Sequence, residues 1–272
     1  MEIAKFPIYQ LENRSEVEID EEEDGRFYKY WTNETNLGRC LFKAAFPYGD
    51  NPKQHRMDWR EKVAGELGLL IGLPMARTEL ASIYVADRDT WMPGSISVDY
   101  TPDRCKVISI RDFLSQADPN YDSAYSESFE DGYNVSNVIL YLHQNSVGLP
   151  LGWNGIEGIE DGVDLLVGYL LLDAWLGATD RHDENLEIAI SESGYFLCPT
   201  FDHGDCLGSK LDREEQQFGN FIDPRLMESC WWETQTIATR SETIEITTIR
   251  AFEIAVKIRP IAAVIWVERL GA

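Results

Sequence analysis

Residues 177–185 read GATDRHDEN and residues 201–205 read FDHGD, with LEIAISESGYFLCPT (186–200) between them. The first stretch follows an apolar run, VDLLVGYLLLDAWLGA, which reads as a buried helix ending near Trp175–Gly177. The intervening residues have the pattern of a short β-hairpin. Asp180 and Asn185 then sit five residues apart on the turn after the helix, and Asp202 follows a short strand, YFLCP. Two carboxylates and one carboxamide are hard oxygen donors of the kind Mg²⁺ takes, sharing the rest of its shell with water and phosphate. A spare Asp beside such a metal can orient a hydroxyl and accept its proton. Phosphoryl transfer needs that division: one Asp for the nucleophile, one Asn and one Asp for the metal.

Composition bounds the rest. The 272 residues fit one large domain or two closely packed lobes, and 44% hydrophobic content supplies a core. The 24 basic and 47 acidic side chains give a net charge of −23, which opposes direct nucleic-acid binding and an anionic membrane surface. A phosphorylated ligand therefore needs local help from Lys, helix N-termini or a metal. Five scattered cysteines without a CxxC pair, and an N-terminus without a signal-peptide core, lead to the expectation of a reduced, cytoplasmic protein. With four His and no pair at ligand spacing, zinc is not expected.

Along the chain, GRFYKYW (25–31), GRCLFKAAF (38–46), RTELASIYVA (77–86) and PGSISVDY (93–100) read as strands. Residues 57–71 have helical period, with Trp59, Val63, Leu67, Leu70 and Ile71 on one face and Gly72 and Pro74 as stop signals. The acidic run EVEIDEEED (16–24) reads as a solvated loop or strand edge. Beyond residue 100 the pattern is helix-dominated. Helices are expected over 107–116, 127–146 and 161–176, and two more over 241–270, broken near Pro260. Residues 206–224 read as a long irregular polar segment. The expected fold is α+β: a β-rich N-lobe, residues 1–100, and an α-helical C-lobe, residues 101–272.

A cation for nucleotide phosphates has one strong candidate. Lys43 lies inside the apolar strand CLFKAA, where an unpaired ammonium is costly. A carboxylate partner is expected from the 57–71 helix, which offers Glu61 and Glu66; helical phase does not choose between them. Arg181 and His182 are expected to shape their loop through hydrogen bonds to backbone or to Asp202, and His203 to be structural.

These motifs resemble a family. GATDRHDEN followed by FDHGDCLG looks like the HipA-like kinases, and the DRHxxN loop is also similar to the phosphoinositide kinases. GRFYKYW, CLFKAA, MDWREKVAGELGLLIGLPMARTELA and PGSISVDY resemble HipA-like proteins in order and spacing, over roughly residues 25 to 210. The resemblance implies a two-lobed, protein-kinase-like fold using ATP and Mg²⁺. It assigns Lys43 to the α/β-phosphates, Glu61 to Lys43 by its distance from GLP, Asp180 to the catalytic base, and Asn185 and Asp202 to Mg²⁺. It makes Gly25 to Lys29 the phosphate-covering loop and Val98, Asp99 and Tyr100 the hinge that contacts adenine. Gly25 is the only glycine of that loop. The extra N-terminal subdomain of full-length HipA proteins has no counterpart in the sequence, so an antitoxin-like partner is not supported by it. A protein Ser/Thr acceptor, including autophosphorylation, is the first expectation. A small-molecule or lipid-headgroup kinase is the alternative, and a nucleotide-sensing pseudokinase a third.

Overall fold

A computed structural model of the chain describes residues 6–11, 29–34, 36–45, 56–85, 89–117, 121, 133–209, 228–234 and 243–272. The N-terminal part is a five-stranded sheet of order β1-β4-β5-β3-β2. Its strands are β1 (Ile8–Leu11), β2 (Lys29–Glu34), β3 (Gly38–Ala44), β4 (Thr78–Val85) and β5 (Thr90–Val98). All neighbours are antiparallel except β1 and β4. Alternation along β3 buries Cys40, Phe42 and Ala44 in a cluster with Leu11, Ala81, Ile83 and Ile96. Strand period 2 therefore turns Lys43 to the other face. The register sets Lys29 and Ser95 directly opposite Lys43, so two lysines share that face.

Helix α1 (Met57–Leu70) lies between β3 and β4. The sequence places an apolar stripe on it, and the structure corrects this. Trp59 and Leu70 of that stripe are exposed, while Asp58, Arg60, Glu61 and Lys62 are buried. The buried charges explain the inversion: the first half of this helix packs against a polar cleft and the strand residue Glu79, while Ala64, Leu67 and Ile71 further along meet the hydrophobic core. Lys62 Nζ donates to Glu79 at 2.9 Å and to Glu66 at 2.6 Å.

The C-terminal part surrounds α4 (Gly162–Leu176), buried on almost every side. Asp161 caps it, accepting from the Asp164 N–H at 2.9 Å. Gly177, at φ 62°, ends it in the left-handed conformation that glycine adopts without strain. Around it pack α3 (Val135–Gln144), α5 (Thr248–Ile258) and α6 (Pro260–Leu270). Trp266 of α6 is fully buried and donates to the Asp164 carbonyl at 2.9 Å.

The C-terminal part holds more sheet than expected. The helix predicted over 107–116 begins as β6 (Lys106–Ser109), which pairs with β7 (Glu187–Ser191); only Ile110–Ala117 is helical, as α2. Val107 and Ile108 fill a β-ladder, and a β-branched pair favours strand once a partner exists. The hairpin expected before FDHGD is β7 with β8 (Gly194–Leu197). Residues 243–247 form β10, paired with β9 (Glu228–Thr234), where a helix was expected. Their Thr-Ile-Glu-Ile-Thr alternation is period 2, and Thr247 then caps α5. The acidic run 16–24, the start of the 127–146 helix and most of segment 206–224 lie outside the described residues.

Candidate active site

Each candidate residue reaches the cleft by a different route. Residues 74–76 run alongside Thr200: Ala76 N–H donates to the Thr200 carbonyl at 2.9 Å and Thr200 N–H to the Pro74 carbonyl at 3.0 Å. That short parallel bridge fixes the chain immediately before Asp202. Asp202 itself has φ 56°, a left-handed conformation that costs a non-glycine residue about 1 kcal/mol or more and is tolerated best by Asp and Asn. The turn aims its carboxylate at Lys43, whose Nζ donates to Oδ1 at 2.6 Å. The two residues are 159 apart in sequence.

The electrostatics follow from burial and proximity. Burial would lower the Lys43 pKa, but the charge and hydrogen bond of Asp202, with Glu61 and Asp180, raise it well above its ordinary value. Burial would raise Asp202, yet Lys43, Lys29 and His203 hold it down at about 2. Glu61, on the buried face of α1, is pushed up to about 7 by burial and then by the Asp202 charge, against Lys43 and the backbone N–H groups of His203 and Asp202. Asp180 is raised by burial and by Asp202 and Asp205, with His182 and Lys43 opposing. Lys43, Glu61, Asp180 and Asp202 thus form one interacting set. Glu66 is engaged by Lys62 instead, at 2.6 Å.

The Asp180–Asn185 loop is built from inside. Arg181 turns inward to a fully buried ion pair with Asp173 of α4, at 2.9 and 2.8 Å. It also donates to the Asn185 carbonyl at 2.7 Å and to His203 Nε2 at 3.1 Å. Sequence reasoning sent Arg181 toward backbone or Asp202; the backbone contact exists, and the carboxylate is Asp173. Arg only donates, so His203 Nε2 accepts and Nδ1 carries the proton, facing Glu61 at 3.9 Å. Burial and the Arg181 charge push His203 down to about 4, so it is neutral.

A second support comes from α2. Arg111 holds Asp183 through two hydrogen bonds, at 3.1 and 2.8 Å, and also pairs with Glu184. Its N–H bonds the Asp183 carbonyl at 3.0 Å, and the Tyr121 hydroxyl donates to Asp183 at 2.7 Å. Asp173, Arg111, Tyr121 and Asp183 were not singled out in the sequence. Only Asp173 left a trace there: a carboxylate inside a leucine-rich helix needs a partner.

The metal question can be put to the donors themselves. Asn185 Nδ2 donates to the Asp180 carbonyl at 2.7 Å. A carbonyl can only accept, so the amide nitrogen faces it and the side-chain oxygen is left available. With an Asp202 carboxylate held ionised, this makes a two-oxygen donor set, and Mg²⁺ typically takes one or two protein oxygens beside phosphate and water. The residues fit that ion. Among the described residues no three His, Cys, Asp or Glu side chains gather as a metal site.

The remaining candidates are placed as follows. Lys29 opens β2 opposite Lys43, and its charge reaches Asp202; Gly25 lies outside the described residues. Val98 and Asp99 commit their N–H groups to the carbonyls of Arg77 and Arg39, at 2.8 and 2.9 Å, and the Asp99 carboxylate pairs with Arg39. Tyr100 crosses to the C-terminal part: its hydroxyl donates to Glu187 at 2.5 Å and its ring lies 5.9 Å from that of Phe201.

Set against solved structures, the chain matches the Helicobacter pylori proinflammatory kinase CtkA with a TM-score of 0.58 and 15% identity, over 97% of this chain and 86% of that one. The chain has a kinase-like fold. Shewanella oneidensis HipA, solved with HipB and operator DNA, matches at a TM-score of 0.43 and 12% identity, over 89% of this chain and 57% of that one. No family model matches, and no curated protein matches. Fold class and the two-part layout agree with the α+β, two-lobed expectation. Among the described residues no helix is long and apolar enough to cross a membrane.

Proposed function

We propose that the chain is an ATP- and Mg²⁺-dependent phosphotransferase to a hydroxyl, in the manner of the HipA-like serine/threonine protein kinases. One observation carries this reading: Lys43 and Asp202, from opposite parts of the chain, meet at 2.6 Å within charge range of Glu61 and Asp180. A purely structural ion pair has no need of a neutral-leaning Glu on one side and a second carboxylate on the other.

In this reading Lys43 binds the α/β-phosphates and Glu61 positions it. Lys29 adds a second positive charge on the same sheet face. Asn185 and Asp202 would hold Mg²⁺, which supplies charge neutralisation of the phosphates when bound. Asp180 orients the acceptor hydroxyl and takes its proton; burial and the Asp202 and Asp205 charges raise its pKa, which makes its carboxylate the stronger base. Arg181 and Arg111 hold the loop so that Asp180 keeps its place, which is where preorganisation contributes. The acceptor is read as a protein Ser or Thr hydroxyl, as in the HipA-like resemblance, and the net charge of −23 disfavours an anionic membrane substrate.

The test is incubation with labelled ATP and Mg²⁺, alone and with a cytosolic extract, followed by mass spectrometry. Label on a Ser or Thr, lost in Asp180→Asn, is the expected result. Absence of any labelled product with Mg²⁺ or Mn²⁺ would overturn the reading, and label on a small polyol or lipid would move the acceptor class.

A further inference from the structure

Helix α6 has two apolar faces, and only one of them is covered. On the inner face Ala262, Ala263 and Trp266 are buried, and Ile265 packs against Gly158, where an added Cβ would stand 2.6 Å from its Cδ1. On the outer face Ile261, Val264 and Val267 are 75%, 57% and 49% exposed. A surface helix ordinarily turns polar side chains to water. Ile258, the last residue of α5, is exposed as well and extends the stripe past the break at Arg259. At the other end Arg269 donates to the Ile71 carbonyl, which brings the end of α1, with exposed Leu69 and Leu70, to the C-terminal end of α6. Single exposed apolar side chains are ordinary, but an aligned set on the order of several hundred Å² marks an interaction surface.

Charge indicates what covers this face. The chain carries −23, so most of its surface repels a second copy. Residues 254–272 are an exception, with Lys257, Arg259 and Arg269 against a single acid, Glu268. Arg259 is engaged by Asp161 and Asp164, and Arg269 by the Ile71 carbonyl. That leaves Lys257 and Glu268, both exposed and, among the described residues, without a partner. Lys257, Ile261, Val264 and Glu268 follow one another at intervals of four, three and four residues, the period of a helix–helix seam. Laid antiparallel, two copies of this stretch set Ile261 opposite Val264, Ile258 opposite Val267 and Lys257 opposite Glu268. One register serves all three pairs, because each is centred between residues 262 and 263. A parallel pair would instead set Lys257 on Lys257 and Glu268 on Glu268.

We propose that the outer face of α6 docks a second copy of this chain in an antiparallel, two-fold arrangement. The apolar pairs fill the centre of the seam and a Lys257–Glu268 pair closes each end. The same patch serves both copies, as a two-fold interface requires. Leu69 and Leu70 flank the C-terminal end of α6, which in this arrangement faces the other copy's Ile258. A stable interface takes about 800 Å² from each partner. The stripe is smaller than that, so the dimer is concentration-dependent, with a Kd on the order of 10–100 μM. The acidic remainder of the surface opposes arrangements that bring other faces together. Docking needs no nucleotide and no activity of the chain, so it stands or falls apart from the phosphotransferase reading.

Sedimentation velocity of the full chain reads the assembly, at about 0.15 M salt, where exposed charges more than about 8 Å apart are largely screened. The weight-average sedimentation coefficient should rise from the monomer value toward the dimer value between about 1 and 300 μM. Val264→Asp puts a carboxylate in the middle of the seam and should leave only monomer over that range. Its melting temperature should be unchanged, because the position is exposed. Lys257→Glu and Glu268→Lys should each weaken self-association on the order of threefold or more. An equimolar mixture of those two variants should form a heterodimer as tight as the wild-type dimer, since opposite charges then face each other at both ends. A chain that stays monomeric throughout overturns the second copy as the occupant, and a dimer that survives Val264→Asp overturns α6 as the docking face. A dimer abolished by Val264→Asp but indifferent to both charge reversals overturns the antiparallel register.

Discussion

Replacing Asp173 by Ala tests how the loop is built. Asp173 and Arg181 are 1% and 3% exposed and meet through two hydrogen bonds at 2.8 and 2.9 Å. Removing the acid leaves a guanidinium sealed between α4 and the Asp180–Asn185 loop, its remaining bonds being the Asn185 carbonyl and neutral His203. Each charge-assisted bond contributes about 1.5–3 kcal/mol, and breaking one side of a buried pair costs about 3–5 kcal/mol. Against a total stability of about 5–15 kcal/mol this is about a fifth or more of the margin. Urea unfolding at pH 7 should show that loss as a lower midpoint with unchanged slope. The double variant Asp173→Leu/Arg181→Met should regain most of the stability, since an apolar pair of similar volume removes both buried charges. Phosphotransferase activity should stay depressed in it, because Asn185 and His203 have lost their donor. A cost below about 1 kcal/mol for Asp173→Ala would refute the reasoning, showing that water or a neighbouring group reaches Arg181.

Other outcomes follow from the same geometry. Asp180→Asn should keep nucleotide affinity and lose transfer by about 10³-fold, measured under single-turnover conditions. Asp202 is held at about 2, below its ordinary 3.8, so the stability it contributes is present above pH 4 and lost as pH falls toward 2. In Lys43→Met that acid-side loss should largely vanish, read from unfolding midpoints between pH 5 and 2. Arg111→Lys keeps the charge but not the fork on Asp183, and should lower kcat with little change in KM for ATP. Gly204→Ala puts a methyl 2.8 Å from Met57 Cε and 3.1 Å from its Cβ, costing about 1–3 kcal/mol, and Met57→Ala in the same chain should recover part of it in a thermal melt.

Much of this site could be read from residue order. Asp180, Asn185 and Asp202 could be singled out by residue type and spacing, and a lysine in an apolar strand announces a partner. Four strands of the N-terminal sheet were legible because their alternation is local; β1 (Ile8–Leu11) was not, since only its pairing with the distant β4 makes it a strand. What the sequence hid depends on partners far along the chain. Val107 and Ile108 take strand form only because β7 lies beside them, and Thr243–Thr247 only because β9 does. The inward face of α1 was misread in part because hydrophobic period finds the stripe that meets oil: Leu67 and Ile71 do meet the core, whereas the first half of the helix meets charges. Arg111 and Asp183 are 72 residues apart, and nothing in either local stretch names the other.

That inverted helix has a thermal consequence. A seam made of apolar surface changes the heat capacity when it opens, in proportion to the area exposed. The seam under α1 is lined by Asp58, Arg60, Glu61 and Lys62, with Trp59, Leu69 and Leu70 already facing water. Swinging the first half of this helix exposes charge more than oil, so that motion should carry a small heat-capacity change, whereas freeing Ala64, Leu67 and Ile71 from the core should carry a larger one. A calorimeter would register unfolding of the α4 core far more strongly than movement of that half-helix, whereas a probe on Trp59 would follow it.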